Sequence, residues 1–330
     1  MASVANRSAA RPRAALVFNP KKHPDASLRL AVAAAERRHG WGKTLWVSSK
    51  PRRSKPVAQA LAENVDLLIV AGGDGSVRRA IADLLGSDLP FAIVPTGTGN
   101  LLARSLGLPV GNLDAALDVA FGAHERRVDV IEIDTAAGEA GGSREVSVVL
   151  SGIGIDAAMI ANTKPELKRR FGWIAYVDGV IRSLDQVAPF PVHISVDGRE
   201  ERTHRVAAVF IANLVDLPGN LQLVPGAALD DGLLDVVVLQ PRGWFDWLFI
   251  WRRFSWENAV LRRTEFGSQI AETLKGKHRG QVVYTRGHRV HVTVDGAEQP
   301  FQVDGDTAGA VRSLTASVIP GGVRVRVPAN

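Results

Sequence analysis

The chain has 330 residues, of which 46% are hydrophobic and 22% charged, so it is long enough for two domains and apolar enough for a packed core. It contains no cysteine, which excludes disulfide bonds, thiolate metal sites and cysteine nucleophiles and fits a cytoplasmic protein. Forty lysines and arginines against 34 aspartates and glutamates give a formal charge of +6, which suits phosphate-bearing ligands or anionic membranes, while no zinc-finger or RNP-type motif indicates nucleic-acid binding.

The first half of the chain alternates short apolar strands with helices. Residues 1–13 carry three arginines but no apolar segment, and we predict a short disordered tail there. Strands that are apolar throughout and alternate with helices are typical of a parallel sheet covered on both faces. The pattern predicts strands at 14–18, 44–47, 67–70 and 91–94, and helices at 26–39, 77–85 and 100–106.

The pattern changes after about residue 130. Short segments rich in β-branched residues follow, and Asp-Gly pairs at 197–198 and 295–296 are typical of antiparallel hairpin turns. Two helical inserts are predicted near 165–184 and 244–273. The sequence therefore predicts an α/β domain with a parallel sheet over residues 14–130 and a mainly antiparallel β domain over 131–330, the last strand of which is a candidate to return to the first domain.

Two glycine-rich loops follow two of the predicted parallel strands, at residues 72–76 and 95–100. Glycines let backbone N–H groups approach an oxyanion, the hydroxyl of Ser76 suits a phosphate oxygen, and Asp74 suits a cation or a water. Neither loop is a Walker or dinucleotide fingerprint, and the alternative is a pair of tight turns. Because ligands gather at the carboxyl ends of parallel strands, the two loops and the Asn19-Pro20 turn predict a phosphate site.

The order of these motifs resembles the diacylglycerol kinase catalytic domain family, and within it the soluble bacterial lipid kinases related to the sphingosine kinases. In the first half the resemblance is carried by Asn19-Pro20, by the two glycine loops and by Ala103-Arg104. It extends from about residue 14 to residue 328. In the second half it rests on segments 164–176, 225–227, 230–235 and 301–306.

The resemblance implies an ATP-binding domain with a fold shared by NAD kinases and diacylglycerol kinases, a β-sandwich-like second domain, and an active site in the cleft between them. It implies transfer of the γ-phosphate of ATP to the hydroxyl of diacylglycerol or a related lipid, with ATP and Mg²⁺ as cofactors. The nucleotide-contacting positions that the resemblance implies are Asn19, Ser48, Gly72, Gly73, Asp74, Gly75, Ser76, Val77, Gly97, Thr98, Gly99 and Asn100. Ser49 is an alternative to Ser48 in this site.

Asp304-Gly305-Asp306 matches the family's DGE element, whose acidic residues are associated with the catalytic base. The resemblance therefore implies that Asp304 or Asp306 engages the acceptor hydroxyl, with Asp74 as a further catalytic candidate. At 306 an aspartate replaces the glutamate, which keeps the carboxylate on a side chain one methylene shorter. The alternative is an ordinary hairpin turn.

A structural metal site is also implied by the resemblance. Asp231 matches a family position that helps to hold a divalent cation together with the backbone carbonyls of Ala228 and Leu233. Oxygen ligands of this kind suit Mg²⁺ or Ca²⁺. Asp230 and Asp235 are equally compatible with solvated carboxylates in a turn.

Two departures from the family pattern concern the nucleotide loop and the acceptor. Leu101 stands where the family often has an aspartate, which removes one carboxylate from the second glycine loop. Residues 213–220 replace a glycine-rich stretch, which leaves the identity of the lipid open.

Asp156 has two interpretations. Its side chain either joins a water network around Mg²⁺ or caps a helix.

The segment Trp244–Trp256 contains four of the seven tryptophans, with arginines at its end. This composition is typical of an interfacial anchor on anionic lipid, so peripheral membrane contact is one interpretation. Packing of the rings in the domain core or in a homodimer contact is the other. No apolar run approaches the roughly 20 residues that span a bilayer.

Two rival functions remain open on sequence alone. One is a kinase of a soluble acceptor such as NAD on the same general fold. The other is a non-catalytic lipid- or nucleotide-binding protein, which Asp306 and Leu101 make conceivable.

Overall fold

A computed structural model of the chain describes residues 11–20, 25–49, 55–136, 142–154, 188–213, 224, 226–241 and 282–329. The predicted helical inserts, Asp156, segment 164–176, residue 225, most of the 213–220 loop and the tryptophan-rich segment lie outside the described residues, as does most of the predicted tail. The chain divides into two compact units. Unit 1 comprises residues 1–127 and 323–330, and unit 2 comprises residues 128–322.

Unit 1 is built on a parallel sheet of the strands β1 (Ala14–Phe18), β2 (Leu45–Ser48), β3 (Leu67–Gly72) and β4 (Phe91–Pro95), in the order β2-β1-β3-β4. Every residue of β1 and β3 is buried, as expected for strands that are apolar throughout and covered on both faces. The predicted parallel sheet is therefore confirmed. The helices of this unit are α1 (Asp25–His39), α2 (Pro56–Ala62), α3 (Asp74–Leu84), α4 (Leu101–Ser105) and α5 (Leu113–Phe121).

The helices of unit 1 cover the sheet with apolar faces. Helix α3 buries Val77, Ala80, Ile81 and Leu84, a spacing of three and four residues that places them on one side of the helix. Helices α1 and α5 pack with β1, β3 and β4 in one hydrophobic cluster. The sequence pattern did not predict α2 and α5.

Unit 2 contains most of β5 and ten further strands, together with the first part of the last strand. They are β5 (Glu125–Thr135), β6 (Arg144–Ser147), β7 (Leu150–Ile153), β8 (Phe190–Val196), β9 (Arg202–Val206), β10 (Ala208–Ala212), β11 (Leu234–Leu239), β12 (Val282–Gly287), β13 (Arg289–Val294), β14 (Gln299–Val303), β15 (Asp306–Val311) and β16 (Ser313–Arg326).

Two antiparallel sheets make up the sandwich of unit 2. One has the order β12-β11-β10-β7-β14-β15, and in the other β13 pairs with β16 and β8, and β8 with β9. Alternate residues of both sheets meet in one apolar core, in which Ile153 and Phe301 of the first sheet cluster with Val192, Val290 and Leu314 of the second. The predicted antiparallel β-sandwich is confirmed.

The final strand, β16, contributes to both units because the division falls between residues 322 and 323. In unit 1 its last part runs parallel to β4, with Val325 opposite Phe91. Arg324 and Arg326 of this part pair with Glu125 at 2.6 and 3.1 Å. The C-terminal residues of the chain are therefore structural components of unit 1.

Candidate functional site

The first glycine loop joins β3 to α3 in unit 1. Strand β3 ends at Gly72, Gly73 is the N-cap of α3, and no side chain caps the helix there. A Cβ atom at Gly72 would lie 2.6 Å from the Cβ of Ser76, so glycine allows the serine to pack against the loop. The arrangement presents the positive end of an 11-residue helix with a partly exposed hydroxyl beside it, which suits an oxyanion.

The second glycine loop packs directly on the backbone of the first. A Cβ at Gly97 would lie 2.5 Å from the Cα of Gly73, and a Cβ at Gly73 would lie 3.0 Å from the Cα of Gly97. The amide of Thr96 donates to the carbonyl of Gly72 at 3.0 Å. Glycine is thus required at both positions by close backbone contact, and the two predicted loops form one structure.

Asp74 links the two loops through its side chain. Its Oδ1 accepts a hydrogen bond of 2.6 Å from the amide of Leu101 at the start of α4, and a Cβ at Gly99 would lie 2.7 Å from its Oδ2. Burial raises the pKa of Asp74, and hydrogen bonds from backbone amides, foremost that of Leu101, act against this rise. Sequence reasoning anticipated a cation or water partner for Asp74 but missed this contact with the second loop.

Asn100 shapes the second loop internally. It is 4% exposed and adopts a left-handed backbone conformation with φ of +50°. Its Oδ1 accepts from the amide of Gly97 at 3.0 Å, and its Nδ2 donates to the carbonyl of the same residue at 2.8 Å. Both ends of this side chain are therefore engaged within the loop, whereas the side chain of Thr98 is exposed.

Asn19 and Ser48 lie at the same edge of the sheet as the glycine loops. Ser48 is the last residue of β2 and is in register with Phe18, which in turn is in register with Ala71 of β3. Because these strands are parallel, their carboxyl ends meet at one edge. The structure therefore brings together the nucleotide positions that the sequence analysis drew from four separate strands.

In unit 2 the two acidic candidates of the 304–306 turn have different environments. Asp304 is 8% exposed with φ of +48°, and its carboxylate accepts four hydrogen bonds of 2.8–3.0 Å. Burial raises the pKa of Asp304, and these four hydrogen bonds oppose the rise. Asp306 is exposed at the start of β15. The donors to Asp304 are the hydroxyl of Ser147 and the amides of Val148, Val149 and Leu150.

The loop predicted to hold a metal is fixed by a residue that sequence reasoning missed. Asp129 is 1% exposed, its Oδ2 accepts from the amide of Gly232 and its Oδ1 from the amide of Gly321, both at 2.7 Å. The signal for Asp129 was present, because its carboxylate stands between Val128 and Val130 in the apolar part of β5. Buried charges in such positions are normally hydrogen-bonded.

Asp231 is exposed and its Oδ1 accepts from the amide of Leu233 at 3.0 Å, as in a local turn. One carboxylate and backbone carbonyls offer the oxygen donors that Mg²⁺ prefers, so the residues present fit the predicted cation. Within the described ranges, no cluster of three or more histidine, aspartate or glutamate side chains is placed to hold a metal.

Asp235 is not a solvated turn carboxylate, which corrects one of the two interpretations of the sequence. It is 3% exposed in β11, opposite Arg286 of β12, and the two side chains form an ion pair of 2.5 Å. Burial raises the pKa of Asp235, and the guanidinium of Arg286 opposes that rise.

Asn213 connects the acidic turn to the predicted metal loop through a chain of hydrogen bonds. Its amide donates to the carbonyl of Val149, which lies in the segment held by Asp304, at 3.0 Å. Its Nδ2 donates to the backbone carbonyl of Asp129 at 2.7 Å. The two candidate sites of unit 2 therefore share one buried polar network.

Comparison with known proteins gives the family of this chain. Residues 13–133 match the diacylglycerol kinase catalytic domain, and residues 147–250 match the YegS C-terminal NAD kinase beta sandwich-like domain. A protein of Pseudomonas fluorescens named "Probable lipid kinase YegS-like" is 32% identical over 234 residues, covering 69% of this chain and 73% of that protein. The diacylglycerol kinase of Mycobacterium tuberculosis is 27% identical over 274 residues, covering 82% and 80%.

Solved structures agree on the fold. A crystal structure of a diacylglycerol kinase from Bacillus anthracis superposes with a TM-score of 0.69 at 21% identity, covering 96% of this chain and 98% of that one. Yeast NADH kinase complexed with NADH gives 0.51 at 10% identity, covering 98% and 85%. The architecture is therefore that of the diacylglycerol kinase and NAD kinase class. Within that class the chain belongs to the diacylglycerol kinase-like family of lipid kinases. None of its described helices is long and apolar enough to cross a membrane.

Proposed function

We propose that this protein is an ATP-dependent lipid kinase that transfers the γ-phosphate to the hydroxyl of diacylglycerol or a related lipid. The observation that carries the proposal is the contact between the two glycine loops, in which Gly73 and Gly97 meet without side chains. Residues 14–130 would form the ATP-binding domain and residues 131–330 the lipid-substrate domain. A cytoplasmic location with peripheral membrane contact, through the tryptophan-rich segment, is part of the proposal.

The triphosphate of ATP would bind along the two loops. The amides at the N-terminus of α3 and the hydroxyls of Ser76 and Thr98 would be the donors to the phosphate chain. Gly97 and Gly99 keep side chains out of the loop backbone, and Asp74 keeps the second loop in place through Leu101. Positioning of this kind is the main contribution that a protein makes to phosphoryl transfer.

Asp306 is the residue we propose for the acceptor side, because it is exposed to solvent, whereas Asp304 is buried and its carboxylate accepts four hydrogen bonds. It would accept the proton of the lipid hydroxyl as that oxygen bonds to the γ-phosphorus. The bond from the γ-phosphorus to the β,γ-bridging oxygen breaks, and ADP leaves with the electron pair. Asp304 would be a positioning residue that fixes the turn carrying Asp306.

The predicted Mg²⁺ requirement has two parts. Asp231 with the carbonyls of Ala228 and Leu233 would hold a structural cation, and Asp129 would hold that loop by accepting the amide of Gly232. When bound to ATP, Mg²⁺ neutralises phosphate charge during transfer.

A soluble acceptor is the second candidate function. It is favoured by the shared fold with yeast NADH kinase, whose structure was solved with NADH. The family match argues for the lipid, because the relatives that resemble this chain over most of its length carry lipid kinase names.

The test is a transfer assay with γ-labelled ATP and Mg²⁺ in three separate reactions, which contain total lipid extract, NAD or no added acceptor. The proposal predicts label in the lipid fraction, abolished by D306N and not by the matched exposed substitution D295N. Label in NAD alone would establish the soluble-acceptor kinase. Nucleotide binding without any transfer would establish a non-catalytic binding protein.

A further inference from the structure

A groove lies at the edge of the unit 1 sheet that is opposite the glycine loops. It has a volume of about 630 Å³. Arg13 directly precedes β1 and Thr44 directly precedes β2, whereas the glycine loops follow the ends of β3 and β4, which run parallel to β1 and β2. Since β1 has five residues, its two ends are about 17 Å apart. The groove and the glycine loops therefore cannot hold the same phosphate.

The charged side chains that line the groove are all cationic. They are Arg11, Arg13 and Lys43, and all three are exposed. Two carboxylates contact the backbone beneath them: Asp66 accepts from the amide of Arg13 at 2.8 Å, and Glu36 accepts from the amide of Thr44 at 2.7 Å. These carboxylates fix the backbone that carries the cations and leave the lining itself positive.

The backbone holds the two cationic segments together. The amide of Gly42 donates to the carbonyl of Pro12 at 2.8 Å, and the amide of Asp66 donates to the carbonyl of Arg13 at 2.7 Å. A Cβ at Gly42 would lie 3.4 Å from the carbonyl oxygen of Pro12, so the segments are in close contact. The hydrogen-bonded backbone therefore fixes the positions from which the three cationic side chains extend toward a ligand.

Trp46 also lines the groove, and the guanidinium of Arg29 lies 4.2 Å from its ring centroid, which adds a further cation beside the lining.

We propose that this groove binds a phosphate-bearing anion, held by Arg11, Arg13 and Lys43. Guanidinium groups bind phosphate oxygens with two parallel hydrogen bonds, and lysine adds a point charge. The ligand is either the headgroup of an anionic phospholipid or a soluble phosphorylated molecule. The site does not depend on the proposed function, because it lies apart from the glycine loops.

The test uses the full chain with its glycine loops saturated by a non-hydrolysable ATP analogue. The groove variant is R11Q/R13Q/K43Q, and the matched control is R199Q/R202Q/R205Q, which removes three exposed arginines from unit 2. The two probes are inorganic phosphate, followed by calorimetry, and vesicles of phosphatidylglycerol in phosphatidylcholine, followed by co-flotation. Failure of the analogue to bind would count against the proposed function alone, and the groove would still be tested.

For whichever of the two probes the wild type binds, we expect the groove variant to bind about 100-fold more weakly, with little change in the control variant. Loss confined to vesicles identifies the lipid headgroup, and loss confined to inorganic phosphate identifies a soluble ligand. A wild type that binds neither probe, or equal loss in the groove and control variants, would overturn the proposal.

Discussion

The carboxylate of Asp74 has two proposed roles, holding the second glycine loop and supplying negative charge to a cation or water. Different substitutions at Asp74 test the two roles separately. Its Oδ1 accepts the amide of Leu101, which any acceptor of similar shape preserves, while a cation or ordered water needs the negative charge. Asparagine keeps an acceptor oxygen without the charge, and alanine removes both. Comparing the asparagine and alanine variants therefore distinguishes the role of Asp74 in holding the second loop from the role of its negative charge.

We predict that D74N abolishes phosphate transfer while changing the free energy of unfolding by less than about 1 kcal/mol, because the amide of Leu101 keeps an acceptor. D74A should in addition destabilise the protein by about 1–2 kcal/mol. Transfer assays and urea unfolding measure the two effects. Normal activity in D74N would limit Asp74 to holding the second loop.

The pH dependence of stability offers an independent check on Asp74. Burial raises the folded-state pKa of Asp74 above the ordinary value of 3.8. Because the folded-state pKa is raised, the contribution of Asp74 to the free energy of unfolding is fully present below pH 3.8. This contribution is lost as the pH rises through the folded-state pKa. The stability of the wild type relative to D74N should therefore decrease as the pH rises above 3.8. Urea unfolding at a series of pH values tests this, and a relative increase would contradict it.

For the acidic turn, we predict opposite phenotypes at its two aspartates. D306N should lose transfer activity with stability within about 0.5 kcal/mol of the wild type, because the side chain is exposed. D304N should be destabilised by at least about 2 kcal/mol, because its new amide group would face donors that the carboxylate now accepts. Thermal unfolding and transfer assays on both variants decide. An active D306N with an inactive, stable D304N would reverse the assignment.

At the scale of elements, the sequence predicted the strands of unit 1 well because those strands are buried on both faces and are apolar throughout. It missed α2 and α5, although each has a start signal: Pro56 stands in the first turn of α2, and the side chain of Asn112 accepts from the amide of Ala115 at the start of α5. Short helices have weak periodicity, so caps are often their main signal.

The sequence predicted the glycine loops, but it did not predict which of the acidic residues are buried and hydrogen-bonded. The burial of Asp304 depends on amides about 150 positions earlier in the chain, and that of Asp129 on Gly321, 192 positions later. Neither contact leaves a local pattern in the sequence. The choice between Asp304 and Asp306 therefore required the fold.

The contact between the glycine loops makes a sharp prediction for Gly97. An added Cβ would lie 2.5 Å from the Cα of Gly73, so G97A must push the two loops apart. We expect at least a tenfold loss of ATP affinity, or about 1.4 kcal/mol. The control is G86A, where an added Cβ meets no atom within 4 Å and a φ of +82° costs about 1 kcal/mol of stability. Equal ATP affinity in G97A and the wild type would show that the contact is dispensable.

At the scale of the whole molecule, the last residues of the chain complete unit 1. Val323 and Val325 are buried, and Arg324 and Arg326 pair with Glu125. The sequence indicated that the last strand was a candidate to return to the first domain, but its apolar alternation alone does not specify a partner strand.

We predict that deleting residues 323–330 lowers the thermal unfolding midpoint markedly, since burial of each valine contributes about 1.5–3 kcal/mol. Deleting residues 328–330 alone should have little effect, because these residues lie beyond β16. Calorimetry of both truncations makes the comparison. An unchanged midpoint in the longer deletion would contradict the assignment of the C-terminus to unit 1.

The most direct measurement of the central claim is a crystal structure of the protein with Mg²⁺ and a non-hydrolysable ATP analogue. The account predicts β- and γ-phosphate oxygens within hydrogen-bond distance of backbone amides in both glycine loops, at 73–77 and 97–99. Phosphates bound elsewhere, or loops that remain unoccupied at saturating nucleotide, would contradict it.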